Sequence, residues 1–217
     1  MDSLLELLLP SLWETLYMVS VSTIVSVLLG LPLGILLIIT EKDGLWEKPI
    51  LNSILGTVVN ISRSFPFLIL MILLFPLARL IVGTTIGTTA TIVPLSIAAA
   101  PFVARVIESS LREVDGGIVE AALAMGSTNL EIIFKVLIPE AMPSIVSNIT
   151  LTIINLIGYS AMAGTIGGGG LGDLAMRYGY HRFDPNIMAA SVILIIVLVQ
   201  VVQFIGNQVV FAINKRR

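Results

Sequence analysis

The glycine-rich stretch at 164–172 contains the pattern most often associated with nucleotide chemistry. Gly167, Gly169 and Gly172 are spaced as G-x-G-x-x-G, which cradles a pyrophosphate when it lies between a strand and a helix. A long apolar segment precedes these glycines instead of a strand, and the sequence has no Gly-Lys-Ser/Thr of a phosphate-binding loop. We therefore predict no nucleotide site, and we interpret the stretch as a tight turn outside the membrane or as a hinge at the mouth of a pathway.

Other reactive side chains are too isolated to indicate catalysis. His181 is the only histidine, and a lone histidine in a polar loop is usually solvated. The sequence has no cysteine and no H-E-x-x-H, G-x-S-x-G or paired-carboxylate arrangement. Arg105, Glu108 and Arg112 are spaced to pair along one helix and solubilise its end. We predict that this chain is not an enzyme. If the protein is energised by ATP, the ATPase must be a separate polypeptide.

Polar and sulfur-containing residues within a predicted membrane segment are the candidates for a transport pathway. They are Asn155, Tyr159, Ser160 and Met162. Polar groups in such segments face either a water-filled cavity or a neighbouring helix, and both alternatives stay open here. Because a thioether is flexible, Met162 could close a narrow passage, and we predict that it forms part of a constriction.

Arg63 lies just before an apolar run that begins at Phe65. It is either a functional charge within the membrane or a residue at the inner membrane interface. We favour the interface, because that position adds to the excess of basic residues expected on the inner side.

The segment 115–139, called the elbow below, has the signals of two short helices joined by a bend. Asp115 can cap the first helix, and Gly126 can adopt the left-handed conformation that ends it. Thr128 and the glutamate three residues later have the spacing of a capping box that starts the second helix. Because Pro139 has no N–H and disfavours helix in the preceding residue, we expect the second helix to stop there.

The elbow also carries apolar residues that predict a docking surface. Ile118, Ala122 and Met125 fall on one face of the first helix. The apolar stripe of the second helix consists of Leu130, Ile133, Phe134 and Leu137. A glutamate in place of Ala122 is therefore expected to disturb docking of a partner. The alternative is a plain helical linker with ordinary caps.

The elbow resembles the EAA loop of ABC importer permeases. Glu120, Ala121 and Ala122 are followed by three residues and Gly126, and nine residues later by Val136–Pro139. The ending departs from the Ile-x-Leu-Pro of that loop by valine for isoleucine and isoleucine for leucine. Similarity to the methionine ABC importer permeases extends over most of the chain, in the stretches Asn60–Phe67, Ile81–Gly87, Ala98–Arg105 and Gly158–Tyr180.

This resemblance implies an all-α type I ABC importer permease fold with five membrane-spanning helices. It implies a homodimer with two cytoplasmic ATPase subunits that hold ATP and Mg, and a methionine-binding protein on the outer face. The implied cargo is methionine, with D-methionine and derivatives as candidates, and neither a cofactor in this chain nor a nucleic acid is implied. The constriction falls on Met162. The residues that would couple to the ATPase are Glu120, Ala121, Ala122, Met125, Gly126 and Pro139.

The composition is typical of an integral membrane protein. The 217 residues are 56% hydrophobic and 12% charged, whereas a soluble domain is about 25% charged. Apolar stretches of about 20 residues can cross a bilayer, and we predict five of them within a single domain, residues 1–217. Their boundaries are roughly 16–39, 57–82, 86–106, 141–166 and 187–213.

The basic residues predict the orientation of these helices. If the N-terminus is outside, eight lysines and arginines lie on the cytoplasmic side and three on the outer side. Because cytoplasmic loops carry an excess of basic residues, we predict an N-out/C-in protein of the bacterial inner membrane. The elbow then lies in the cytoplasm, where an ATPase could bind it.

Other functions are compatible with parts of this pattern. An ion-coupled secondary transporter would need acidic residues within its spans and inverted repeats, neither of which is evident in the sequence. A permease for another small solute, or a membrane scaffold that recruits a cytoplasmic partner, fits the elbow equally well.

Overall fold

The computed structural model describes residues 2–215, and within them helices are the only regular secondary structure. The predicted all-α architecture is therefore confirmed for this range. The helices are α1 (Asp2–Thr40), α2 (Pro49–Arg63), α3 (Phe67–Leu73), α4 (Phe75–Val82), α5 (Thr88–Arg112), α6 (Gly116–Ala124), α7 (Asn129–Glu131), α8 (Ile138–Gly164), α9 (Gly170–Leu174) and α10 (Pro185–Asn214). Two segments are π-helical. Ile132–Leu137 joins α7 to α8, and Ala175–Tyr180 follows α9.

Four continuous helical rods are long and apolar enough to cross a membrane. They are Leu4–Thr40, Thr88–Arg112, Asn129–Gly164 and Pro185–Asn214. The pair α2 and α3 is also apolar enough when taken together, but the two helices meet at 100°. The described residues therefore contain the five predicted spans only if this bent pair is counted as one of them.

The second predicted span, 57–82, is broken in the structure. Its residues are divided among α2, α3 and α4. Pro66 adopts an extended conformation (φ −59°, ψ 129°) just before α3. The reason is local, because proline cannot donate a helical hydrogen bond and disfavours helix at Phe65 before it. A second interruption falls at Leu74, close to Pro76 in the first turn of α4.

The contact between α1 and α5 is built on two glycines spaced four residues apart. A Cβ atom at Gly30 would lie 2.6 Å from the Cβ of Val103, and one at Gly34 would lie 2.6 Å from the carbonyl oxygen of Ala104. Only a hydrogen atom fits at either position, and small residues at this spacing let two helices pack closely within a membrane. Val103, Ala104 and Ile107 are fully buried as a result.

The glycine-rich stretch is a packed junction at the end of the bundle opposite the elbow. The Gly170 N–H donates to the Glu14 carboxylate of α1 at 2.7 Å. The Gly87 N–H, at the start of α5, donates to the Gly167 carbonyl at 2.9 Å. Gly168 and Gly170 are themselves buried. The stretch therefore ties α9 to two other helices instead of forming a freely exposed turn.

Replacing Gly34 by alanine should lower the stability of the subunit. The added Cβ would meet the Ala104 carbonyl and the side chain of Ile107, so that α1 and α5 must separate. We expect a loss of about 1–3 kcal/mol, measured as a lower melting midpoint of the purified protein in detergent. Gly158→Ala is the matched control, since a Cβ at Gly158 meets nothing within 4 Å. Equal midpoints for the two variants would contradict the packing argument.

Candidate functional site

The first arm of the elbow is α6, and its predicted caps are confirmed. The Asp115 carboxylate accepts the Gly117 N–H at 2.7 Å, which satisfies one of the free donors at the start of the helix. At the other end Gly126 has φ +81°, a conformation that favours glycine. This turn lets the Ser127 N–H donate to the Ala122 carbonyl at 3.1 Å.

The second arm of the elbow begins with the predicted capping box. Thr128 Oγ1 accepts the Glu131 N–H at 3.4 Å, and the Glu131 carboxylate accepts the Thr128 N–H at 3.1 Å. The Lys135 ammonium lies 2.9 Å from the other Glu131 oxygen. The Asn129 side chain donates to the Leu45 carbonyl at 3.0 Å, which ties the elbow to the loop between α1 and α2.

The second arm does not stop at Pro139, and that expectation was wrong. Asn129–Gly164 is one continuous helical rod. Within it Ile132–Leu137 is π-helical, and the Ile138 N–H donates to the Ile133 carbonyl five residues back. Pro139 is the second residue of α8, which directly follows the π-helical segment, so its missing N–H falls where the hydrogen-bond register changes from five residues to four. The second arm and α8 are therefore a single rod that leaves the elbow and enters the bundle.

Ala122 does not lie on an external face of the elbow, contrary to the sequence-based prediction. It is 3% exposed and belongs to the same buried apolar cluster as Ile132, Ile133 and Leu137. The two arms of the elbow pack against each other and the bundle through these side chains. Met125, predicted on the same face as Ala122, is instead 80% exposed. A glutamate at Ala122 would therefore disturb folding before it could disturb docking.

The exposed apolar side chains of the elbow define a candidate docking surface. Its members are Ile118, Ala121, Leu123, Ala124, Met125, Leu130 and Phe134. Leu130 and Phe134 come from the predicted stripe of the second arm, whose other two members are buried. Exposed apolar patches rimmed by polar residues mark interaction sites in many proteins. This surface therefore suits a partner protein.

The remaining predicted coupling residues also lie on the outside of the elbow. Glu120, Gly126 and Pro139 are exposed. Glu120 lines a cavity of about 450 Å³ between the elbow and the end of α1, which it shares with Arg112 and Asn129. Glu120 therefore lies at the same cavity as Arg112, the last residue of α5.

A network of charges joins three helices next to the elbow. Glu108, which is 5% exposed, contacts Arg105 at 2.6 Å and Arg112 at 2.9 Å. Arg112 also reaches Glu41 at the end of α1 at 2.5 Å, and Arg105 donates to the Asn60 side chain of α2 at 3.0 Å. The sequence predicted pairing along α5 but not this cross-helix role, because spacing along one helix carries no information on distant partners.

The pathway candidates on α8 do not all face the same way. Asn155 and Met162 are exposed and seven residues apart, so they lie on one side of the helix. The exposed stripe is Leu151, Asn155, Gly158 and Met162. Ser160 is buried and donates to the Ile157 carbonyl at 2.8 Å, so its hydroxyl points into the subunit. Ser160 is therefore a packing residue and does not line an open pathway.

Tyr159 lies at a small cavity beside the bend between α2 and α3. Its ring stacks on Phe67 with 4.6 Å between centroids and 9° between planes. Arg63 lines the same cavity, and its guanidinium carbon is 5.8 Å from the centre of the Phe102 ring. Phe102 is ten residues from the α5 terminus at Arg112, or about 15 Å along the helix. The Arg63 guanidinium therefore lies beside α5 at the level of Phe102, and its position at the membrane interface stays a prediction.

The geometry of the second arm defines a general class of protein. A rod that crosses the membrane and emerges as a docking elbow can carry a displacement from an external partner to helices inside the bilayer. Such an arrangement is typical of a membrane permease that works together with an associated subunit.

Comparisons with known proteins show the family to which the chain belongs. Residues 30–217 match the family described as the binding-protein-dependent transport system inner membrane component. A probable D-methionine transport system permease of Vibrio cholerae is 57% identical over 97% of this chain and 94% of its own length. A methionine import system permease of Bacillus subtilis is 46% identical over 94% of this chain and 92% of its own.

A solved structure agrees with these relatives. A chain of the MetNI methionine ABC transporter, captured in an inward-facing conformation, superposes with a TM-score of 0.96. It is 43% identical, and the alignment covers 98% of this chain and 99% of that one. The chain thus belongs to the family of inner-membrane components of binding-protein-dependent transport systems, and it has the type I ABC importer permease fold. It is a multi-pass permease component of the bacterial inner membrane.

Adjacent alanines in α6 provide a test of how the elbow is packed. Ala122→Glu should destabilise the subunit by several kcal/mol, because it places a carboxylate among buried apolar side chains. Ala121→Glu should leave stability nearly unchanged, since Ala121 is exposed. The comparison is made by thermal unfolding of both variants in the same detergent. A stable Ala122→Glu variant would show that the arms do not pack in this way.

Removal of the central acid of the charge network should also destabilise the subunit. Glu108→Gln leaves two arginines beside a buried neutral side chain, and breaking such a pair costs on the order of 3 kcal/mol. Glu113→Gln removes a nearby exposed carboxylate and should change the melting midpoint little. If both variants melt alike, Glu108 does not hold the three helices together.

Proposed function

We propose that this chain is the transmembrane subunit of an ATP-driven importer of methionine, including D-methionine and related derivatives. The observation that carries the proposal is the exposed apolar surface on an elbow continuous with the membrane-crossing rod of α8. The relatives named for methionine or D-methionine transport support the choice of cargo. In this proposal the whole chain, residues 1–217, forms one permease domain.

The proposed orientation has the N-terminus outside and the C-terminus in the cytoplasm. It rests on the excess of basic residues at the elbow end of the bundle. In this orientation the docking surface faces the cytoplasm, and the glycine-rich junction faces the outside.

The proposed assembly is a homodimer with two cytoplasmic ATPase subunits and an external methionine-binding protein. A two-fold axis along the membrane normal would place two elbows on one face and enclose a pathway between two copies. The exposed stripe of α8 supports this arrangement, since the exposed amide of Asn155 needs a polar neighbour or a water-filled space inside a membrane. Met162, with its flexible thioether, is the residue proposed to close the pathway.

The proposed mechanism moves the pathway through the elbow. ATP and Mg would bind the partner ATPase, and its nucleotide-dependent closure would change the separation of the two elbows. Because the second arm and α8 are one rod, a shift of the docking surface would reach the pathway face directly. The charge network would carry the same shift to α1 and α2. The two nucleotide states must favour different elbow separations for this coupling to work.

Met125→Glu tests the docking surface. Met125 is 80% exposed, so a carboxylate there should leave the subunit folded but weaken association with the ATPase, since it charges an apolar contact. We expect at least a tenfold loss of ATP-dependent methionine uptake in proteoliposomes that contain the permease, its ATPase and its binding protein. Co-purification of the ATPase with the permease is measured in parallel.

Phe183→Glu is the control for this experiment. Phe183 is 85% exposed but lies in the loop before α10, at the end of the bundle opposite the elbow. It should retain ATPase binding. Full uptake and normal ATPase binding by Met125→Glu would refute docking through this surface. Absence of ATP-dependent methionine uptake by the unaltered complex, or uptake driven by an ion gradient alone, would refute the proposed function itself.

A further inference from the structure

The cavity beside the bend between α2 and α3 combines one positive charge with several aromatic rings. Its volume is about 250 Å³. Arg63 and Ser62 supply its polar lining, and Phe67, Phe102 and Tyr159 supply its rings. Most ligand pockets are mainly apolar with a few polar groups that fix orientation. The exposed lining of this cavity is more polar than that of a typical pocket, and its size suits a ligand no larger than a single amino acid.

Arg63 has no counter-charge in the structure. Among residues 2–215, no carboxylate lies within ion-pair distance of its guanidinium group. Its contact is with the face of the Phe102 ring, at 5.8 Å. An arginine inside a membrane protein is costly unless it faces a water-filled cavity or pairs with an anion. Arg63 is exposed in the subunit, so its guanidinium can contact water or an anion.

A second copy of this chain would not neutralise Arg63. In a dimer whose axis lies along the membrane normal, each group of the partner lies at the same depth as its equivalent here. Glu108 is the carboxylate inside a membrane-crossing helix nearest this depth, six residues further along α5 than Phe102. It is already held by two arginines, at 2.6 and 2.9 Å. Any anion that pairs with Arg63 therefore comes from outside the permease.

The cavity adjoins the proposed pathway. Tyr159 lies on α8 between Asn155 and Met162, and its ring forms one wall of the cavity. A small molecule that passes along the exposed stripe of α8 would therefore pass Tyr159, which lines the same cavity as Arg63. The stacked rings of Phe67 and Tyr159 offer an apolar surface beside that charge, and thioether sulfur makes favourable contacts with such rings.

We propose that Arg63 binds the carboxylate of the transported amino acid, while the aromatic rings of the cavity contact its apolar side chain. This inference rests on the proposed function and adds the group that recognises the cargo within the membrane. A guanidinium pairs with a carboxylate through two parallel N–H···O bonds, which fixes the orientation of the bound molecule. The site selects for a free carboxylate and tolerates variation in the side chain.

The experiment compares L-methionine with L-methioninol, in which a hydroxymethyl group replaces the carboxylate. Both are tested for binding to the purified permease–ATPase complex without the binding protein. The unaltered complex should prefer methionine by about tenfold or more, as expected for a hydrogen bond to a charged group. Arg63→Gln should lose this preference, whereas Arg63→Lys should retain part of it. In proteoliposomes with the binding protein, Arg63→Gln should also lose most methionine uptake while ATP hydrolysis continues.

Arg79→Gln is the matched control, because Arg79 is another exposed arginine, in α4, outside the cavity. It should keep both the preference and the uptake. An unchanged preference in Arg63→Gln, or equal binding of the two compounds by the unaltered complex, would overturn the assignment. Normal uptake by the unaltered complex in that case would leave the proposed function intact. If Arg63→Gln fails to assemble, an Arg63→Lys complex without any preference for methionine would likewise overturn the assignment.

Discussion

The close packing of α1 on α5 is the contact on which the other features of the subunit depend. Gly30 and Gly34 bring the two helices so near that no side chain fits at either of these two positions of α1. Hydrophobic driving force is weak between helices that are surrounded by lipid, so such backbone proximity must supply much of the association. The position of α5 then determines where the charge network and the elbow lie, since both begin at its end.

Two groups of charged residues in the subunit differ in how their charges are paired. Near the elbow, Glu108 offsets two arginines and holds three helices in register. At the bend between α2 and α3, Arg63 is left with an aromatic neighbour and a cavity. Charged side chains that pair with each other hold their helices together. A charged side chain without a partner of opposite charge costs free energy within a membrane protein, and such residues often have a function. The first set therefore serves architecture, and the second is available for recognition.

Local signals predicted the parts of the elbow that depend on neighbouring residues alone. The caps at Asp115 and Thr128 follow from side chains and N–H groups a few residues apart, so sequence was sufficient. The burial of Ala122 and the passage of the helix through Pro139 depend on contacts between distant segments and on a widened turn, which no short pattern encodes. The bend between α2 and α3 was not predicted, because hydropathy reports how apolar a segment is but not that it bends.

The π-helical segment Ile132–Leu137 has a geometric consequence for the rod that contains it. A widened turn accommodates about one residue more than an α-helix would over the same rise, and each residue of an α-helix advances by about 100° around the axis. The segment thus sets the angular phase between the exposed Phe134 of the elbow and the exposed Met162 of α8. In the proposed mechanism, twisting of the elbow would therefore appear at the far end of the rod as rotation of that stripe.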